Sequence, residues 1–400
     1  MSKFLLISHI FPPAIDGGSK VINKLGHFFE QQNHQTLYLS SNCSTTDDFI
    51  KSNPKISPKI LPNQIKLPVY HQLRLPLKII NLFLPPKLYF YGLLKIFQKG
   101  PVFKLIPFLK ATLKITKFNP DFIIAGPLPT TTILYAKFFH KITKAKLLIN
   151  ASFHQTDQDF FATPLIKTLQ KTDYLWTLTQ YETDYFIKKI HINPNKIIFA
   201  GNGVDPRFII KKPKKTTNNI MFIGNLSAHK RVDFLIKTFF NLIFQNPKYK
   251  SVRLTIVGQK TLFYPKINKI YQSFPSNIKK QIKFKFNVIT TKQLTKEIDQ
   301  CQFLVLPSIQ ESFGLVLIES WARGKPVITT NIPPLQELVT KSNGGLTFKI
   351  DNQDNLQKQL TKLLDHPKLC QQLGKNGLNY VKNNYTWPIV GQKIWKKISS

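Results

Sequence analysis

Acidic residues are scarce in this chain. Its 400 residues include 57 Lys or Arg but only 20 Asp or Glu, a formal net charge of +37. Cysteine is rare too: Cys43, Cys301 and Cys370 are odd in number and widely spaced. This excludes a disulfide framework and a thiolate metal cluster, and it fits a reducing, cytosolic compartment. No run of 18 apolar residues occurs, so no segment reads as a membrane-spanning helix. The opening stretch MSKFLLISHIFPP meets His9 and Pro12 too early for a signal peptide. No G-x-G-x-x-G run stands at a strand–helix junction, which argues against a nicotinamide-dependent oxidoreductase.

The charge that is present is almost all lysine. Only residues 74, 207, 231, 253 and 323 are Arg, and Asn, Ile and Phe are abundant, as an AT-rich genome favours. One local feature goes beyond that bias. Residues 49–120 contain no acid, and Lys or Arg alternate there with apolar groups, as in LRLPLKIINLFLPPKLYFYGLLKIFQ. Such segments suit an anionic membrane surface. A solvated basic face and a nucleic-acid surface are the alternatives. No helix-turn-helix, zinc or RNA-binding aromatic signature accompanies the charge.

A chain of this length suggests two domains. Strand-like KFLLIS is followed by the loop FPPAIDGGS, an amphipathic helix KVINKLGHFFEQQ and a second strand HQTLYLSS. DFIIAGP, KLLINAS, DYLWTLTQ and NKIIFAGNGV read as further strands. After a polar, basic segment at 211–219, the expected linker, a second series begins: NIMFIGNL, RVDFLIKTFFNLIFQ, SVRLTIVGQ, IKFKFNV, TKQLTKEIDQ and QFLVLPS. The alternation predicts two doubly wound α/β domains facing a cleft, with ligands at the carboxyl ends of the strands.

The stretch IQESFGLVLIESWARGKPVITT carries the most chemistry. QFLVLPS and PVITT flank a helix that starts near Gly314 and ends at Gly324. The free N–H groups of its first turn suit a phosphate. Glu311 precedes the helix and Glu319 lies inside it, so the two carboxylates address different parts of one extended ligand. The plainer alternative makes Glu311 a helix-dipole partner and Glu319 a surface acid.

Glu-x7-Glu around FGL, followed by GKPVI, resembles the retaining glycosyltransferases of family four, which have the GT-B fold. SHIFPPAIDGGSKVINKLGHFFEQQNHQTLYLSS, FAGNGVDPRF and FIGNLSAHKRVDFLIKTF resemble that family's opening strand–loop–helix, its inter-domain segment and its phosphate loop. The resemblance runs through nearly the whole chain. It implies two Rossmann-like domains, over 1–205 and 206–384; the basic region 50–118, by its charge pattern, would be a membrane-facing insertion in the first. Residues 385–400 would be a helix returning to the first domain.

The resemblance also implies roles. Glu319 would hold the donor ribose and Glu311 the transferred sugar. Lys230 would neutralise the departing diphosphate, and His154 would contact the donor sugar. Phe313, Gly314, Leu315 and Val316 would meet sugar and diphosphate through their backbone. Gly17 and Gly18 would close over the donor, and Gly224 begins the phosphate loop. Asn225 replaces the family's usual Arg there, and Arg231, where Gly is usual, is the cation at hand to replace it. Asp157-Gln158-Asp159 is an Asp-x-Asp, but the GT-B reading needs no metal and no other cofactor. The expected partners are a UDP- or GDP-linked sugar, a lipid-linked or envelope saccharide and an anionic membrane surface, with no nucleic acid. The expected location is cytoplasmic, peripheral on the inner face of the membrane. A catalytically decayed GT-B binding protein is the alternative, with Asn225 as its support.

Overall fold

The computed structural model describes residues 1–12, 17–44, 48, 55–56, 62–70, 93, 96–97, 100–154, 163–211, 217–286, 288 and 290–400. They divide into two units, Met1–Asn202 with Val390–Ser400, and Gly203–Ile389.

Short strands, apolar at most of their buried positions, build the sheet of the first unit. They are β1 (Lys3–Ile7), β2 (Gln35–Ser41), β3 (Gln64–Leu67), β4 (Phe122–Ala125), β5 (Lys146–Asn150), β6 (Tyr174–Thr177) and β7 (Ile197–Phe199). They lie in the order β3-β2-β1-β4-β5-β6-β7, all pairs parallel. The order runs outward from β1 in both directions, the doubly wound pattern expected. KFLLI and FIIA are buried along nearly their whole length, because helices cover both faces of a parallel sheet. These helices are α1 (Gly17–Gln31), α2 (Leu105–Phe118), α3 (Thr132–Thr143), α4 (Thr163–Lys171) and α5 (Gln180–Lys188). Leu5, Ile123, Leu147, Ile149 and Leu175 form the middle of the core under Ile133, Phe139 and Leu165.

Helix α1 begins at Gly17, inside the stretch expected to be loop. A Cβ at Gly18 would sit 2.5 Å from the Pro127 ring, so only glycine lets the helix start so close to the end of β4.

The second sheet has the order β10-β9-β8-β11-β12-β13, again all parallel. Its strands are β8 (Asn219–Ile223), β9 (Arg253–Val257), β10 (Ile282–Lys285), β11 (Phe303–Leu306), β12 (Val327–Thr330) and β13 (Gly345–Phe348). Around them lie α6 (Val232–Gln245), α7 (Tyr264–Gln272), α8 (Thr291–Gln300), α9 (Leu315–Ala322), α10 (Pro333–Ser342), α11 (Gln353–Asp365) and α12 (Pro367–Asn384).

One buried ionic network fastens this unit. Arg323 donates to both oxygens of Asp299 at 2.7 and 2.8 Å and to the carbonyl of Phe208 at 2.9 Å. Lys325 donates to the Asp299 carbonyl at 3.0 Å. The motifs FAGNGVDPRF and GKPVI are thus partly structural partners. Burial lowers the Lys325 pKa, while the neighbouring thiols of Cys301 and Cys370 are each pushed up to about 12 by burial.

The last helix, α13 (Trp387–Ile398), starts in the second unit and ends in the first. There Trp395 packs against Phe4, Phe29 and Phe122, with ring centroids 6.0–6.1 Å apart. The chain leaves the first unit between Asn202 and Gly203, ahead of the segment 211–219 that was expected to be the linker. Most of LRLPLKIINLFLPPKLYFYGLLKIFQ, and Asp157-Gln158-Asp159, lie outside the described residues.

Candidate functional site

Two loops at the carboxyl edge of the second sheet gather most of the expected residues. The first follows β8. Gly224 has φ 153°, and the position a Cβ would take at Gly258, after β9, lies 1.8 Å from the Gly224 carbonyl oxygen. The ends of β8 and β9 therefore touch through backbone alone. Leu226 N–H bonds the Gln259 carbonyl at 2.9 Å, and Thr261 Oγ1 donates to the Leu226 carbonyl at 2.6 Å. A short 3-10 turn, Ala228–Lys230, then aims Lys230, and Arg231 turns the chain into α6 with φ 54°. Asn225 is exposed on the loop.

The second loop joins β11 to α9. The Ile309 N–H donates to the His229 carbonyl at 2.9 Å and ties the two loops together. Across this tie Lys230 Nζ meets Glu311 Oε1 at 2.5 Å, both side chains being largely buried. Charge-assisted contacts of this kind are strong where water is thin. Phe313 anchors the loop, its ring 5.3 Å from that of Tyr385. Gly314 follows with φ 86°, and a Cβ there would lie 2.7 Å from Leu335. Being glycine, it offers the helix no side-chain cap. The first N–H groups of α9, those of Leu315 and Val316, are left to a ligand or to water. Glu319 lies in the second turn of α9 and is 6% exposed, so it is not a surface acid.

Arg231 does not stand alone. Its guanidinium pairs with Asp351, beyond β13, and lies 5.8 Å from the Phe234 ring. Its Nε is buried without a hydrogen-bond partner among the described residues.

Gly17, Gly18 and His154 belong to the first unit. His154 follows β5 through Ser152, which has φ 44° and donates to Asn150 Oδ1 at 2.5 Å. The loop is held by Glu182, whose carboxylate accepts the Phe153 N–H at 2.7 Å and also the Leu178 N–H. Glu182 was not singled out by sequence, although T-x-x-E spacing from Thr179, the N-cap of α5, was a usable signal. Ser308 and Asp351 were also missed. Ser308 Oγ is buried without a partner among the described residues, and its carbonyl takes the Thr330 hydroxyl.

The second unit therefore combines a cation, an uncapped helix N-terminus and a buried carboxylate on one edge of a parallel sheet. That set suits an anion next to hydroxyl groups. Among the described residues no cluster of three His, Cys, Asp or Glu is placed to hold a metal ion.

Residues 205–380 match the family model described as glycosyl transferases group 1. An uncharacterized glycosyltransferase of Methanocaldococcus jannaschii is 26% identical over 258 residues, 59% of this chain and 69% of that protein. The O-antigen chain mannosyltransferase of Salmonella typhimurium is 25% identical over 210 residues, 52% of this chain and 56% of that one. Among solved structures, sucrose-phosphate synthase from Thermosynechococcus elongatus superposes with a TM-score of 0.74 at 16% identity, covering 100% of this chain and 98% of that one. Anabaena HepE in complex with UDP and glucose gives 0.70 at 13% identity, with both chains fully covered. The C-terminal unit is thus similar to the glycosyl transferases group 1 over residues 205–380, and the fold is GT-B.

Proposed function

We propose that the chain is a retaining glycosyltransferase, moving a sugar from a UDP- or GDP-linked donor to a lipid-linked or cell-envelope saccharide. It would work without a metal ion, on the cytoplasmic face of the membrane. The observation that carries this reading is the Lys230–Glu311 pair next to the uncapped start of α9. The Anabaena structure, a complex with UDP and glucose, supports a nucleotide sugar as donor. The O-antigen mannosyltransferase supports an envelope saccharide as acceptor.

The mechanism follows from charge. When the sugar–phosphate bond breaks, negative charge grows on the diphosphate and positive charge on the anomeric carbon. Lys230 and the N–H groups of Leu315 and Val316 stabilise the first as preorganised donors. Donor binding draws Lys230 to the diphosphate and releases the Glu311 carboxylate to the hydroxyls of the transferred sugar. Glu319 accepts the ribose hydroxyls. Phe313 and Gly314 set the backbone against sugar and diphosphate, and Gly224 lets the loop approach closely. Arg231, oriented by Asp351, supplies the second positive charge that Asn225 lacks. His154, Gly17 and Gly18 are assigned to the donor sugar from the edge of the first sheet. As the resemblance to the retaining family implies, the acceptor attacks from the face the leaving group departs.

The same Asn225, with Arg231 held by Asp351, favours a second reading, a decayed transferase that binds the donor without using it. Incubation with a panel of UDP- and GDP-sugars separates the two. The wild type should hydrolyse one donor slowly, and Glu311→Ala should lose that activity while still binding the nucleotide. Binding without turnover of any donor by the wild type would favour the decayed protein, and no binding would overturn both readings.

A further inference from the structure

The described residues expose 14 large apolar side chains, and six of them lie on two neighbouring helices of the first unit. On α2, Leu105, Ile106, Leu109 and Leu113 are 53–72% exposed. On α3, Phe138 and Ile142 are each 40% exposed. The two sets adjoin, because the Phe108 and Phe138 rings lie 5.6 Å apart. At 3.6 residues per turn the four α2 residues span an arc of about 100°. The inner face of the same helix, Ala111 and Ile115, is buried in the core. These outward groups are therefore not displaced core residues.

Lysines border the apolar arc. Lys110, Lys114 and Lys117 fall on the next arc of α2, Lys104 precedes the helix, and α3 adds Lys137 and Lys141. Between residues 100 and 154 the sequence has a single acid, Asp121, which accepts the Lys3 N–H. We infer that the outer face of α2 and α3 docks on an anionic lipid surface, with the leucines entering the acyl boundary and the lysines reaching the headgroup phosphates. A second copy of this chain is a poor occupant. It would bring the same lysines to the contact, and the chain has few acids to neutralise them. The proposal rests on the reading of a lipid-linked acceptor and adds the surface that carries the enzyme to it.

Flotation with phosphatidylcholine vesicles carrying about a third phosphatidylglycerol tests it without any donor. The wild type should float with these vesicles at low salt and less as salt rises. Leu109→Glu combined with Leu113→Glu should weaken partitioning at least about tenfold, with an unchanged melting temperature because both positions are exposed. Lys110, Lys114 and Lys117 changed together to Gln should abolish the preference over pure phosphatidylcholine. A wild type that ignores anionic vesicles, or variants that float as well as it does, overturns the proposal. So does a double variant that becomes monomeric where the wild type is a dimer without vesicles. A protein that floats but turns over no donor leaves this surface standing and overturns the proposed reaction instead.

Discussion

The two units hold ten acids each, and 28 and 29 Lys or Arg, yet they use them differently. In the second unit acids meet cations: Glu311 with Lys230, Asp351 with Arg231, Asp299 with Arg323, Glu297 with Lys285. Among the described residues of the first unit Asp184 pairs with Lys188, but other acids hold backbone N–H groups and hydroxyls. Asp121 takes the Lys3 N–H, Asp173 that of Leu147, and Glu182 those of Phe153 and Leu178. A carboxylate that holds an amide at a sheet edge does not neutralise a lysine on a helix. The lysines of α2 and α3 therefore face outward over a stretch with one acid. The charge counts are nearly the same in both units; placement gives one a cation beside an uncapped helix start and the other a basic surface.

The comparison breaks most visibly at Asp299. Asp299→Ala leaves the Arg323 guanidinium buried without its carboxylate and removes the negative charge beside Lys325, whose bond to the backbone carbonyl of residue 299 remains. Losing one member of such a network costs about 3–5 kcal/mol. Hydrogen exchange should show α8, α9 and β12 losing protection while β1 and β2 keep theirs. Uniform loss in both units would contradict separate electrostatic schemes.

A smaller effect is expected in the first unit. Burial alone would raise the Glu30 pKa, but hydrogen bonds from His27, Thr36 and Tyr38 outweigh it and hold the carboxyl at about 2. A depressed folded pKa stabilises the fold above the unfolded value, and that contribution is lost as pH falls towards 2. Discounted for its partial exposure, the contribution is about 1–2 kcal/mol. Acid titrations of unfolding should show that loss in the wild type between its ordinary pKa of 4.5 and about 2. Glu30→Gln should lack it, and identical acid limbs would remove Glu30 from the account.

Legibility in the sequence also differed between the units. The apolar strands and long amphipathic helices were plain, and α8 coincides with TKQLTKEIDQ because Thr290 and Gln293 form a capping box that marks its start. Several elements escaped notice. β3, QIKL, is four residues long and sits among prolines and lysines. Helix α2 contains Pro107 in its first turn, and α10 begins Pro333-Pro334, where proline is tolerated but reads as a breaker. β13 opens at a Gly-Gly pair that reads as a turn. For the site, spacing placed Glu311 in a loop and Glu319 in a helix. The contact of Glu311 with Lys230 spans 81 positions, and that of Arg231 with Asp351 spans 120. Contacts at such separation are made by the parallel strand order, which no local pattern specifies.

Under the proposed function, the carboxyl edge of the second sheet binds a nucleoside diphosphate through Lys230 and Glu319. Calorimetric titration of the intact protein with UDP and with GDP tests it directly. One nucleotide should bind the wild type. Lys230→Ala should weaken that binding by about 100-fold, as expected for removing a preorganised charged donor from an anion site. Glu319→Gln should weaken it by about tenfold, through the ribose hydroxyls. Equal affinity in all three proteins, or no binding of either nucleotide to the wild type, would contradict the account.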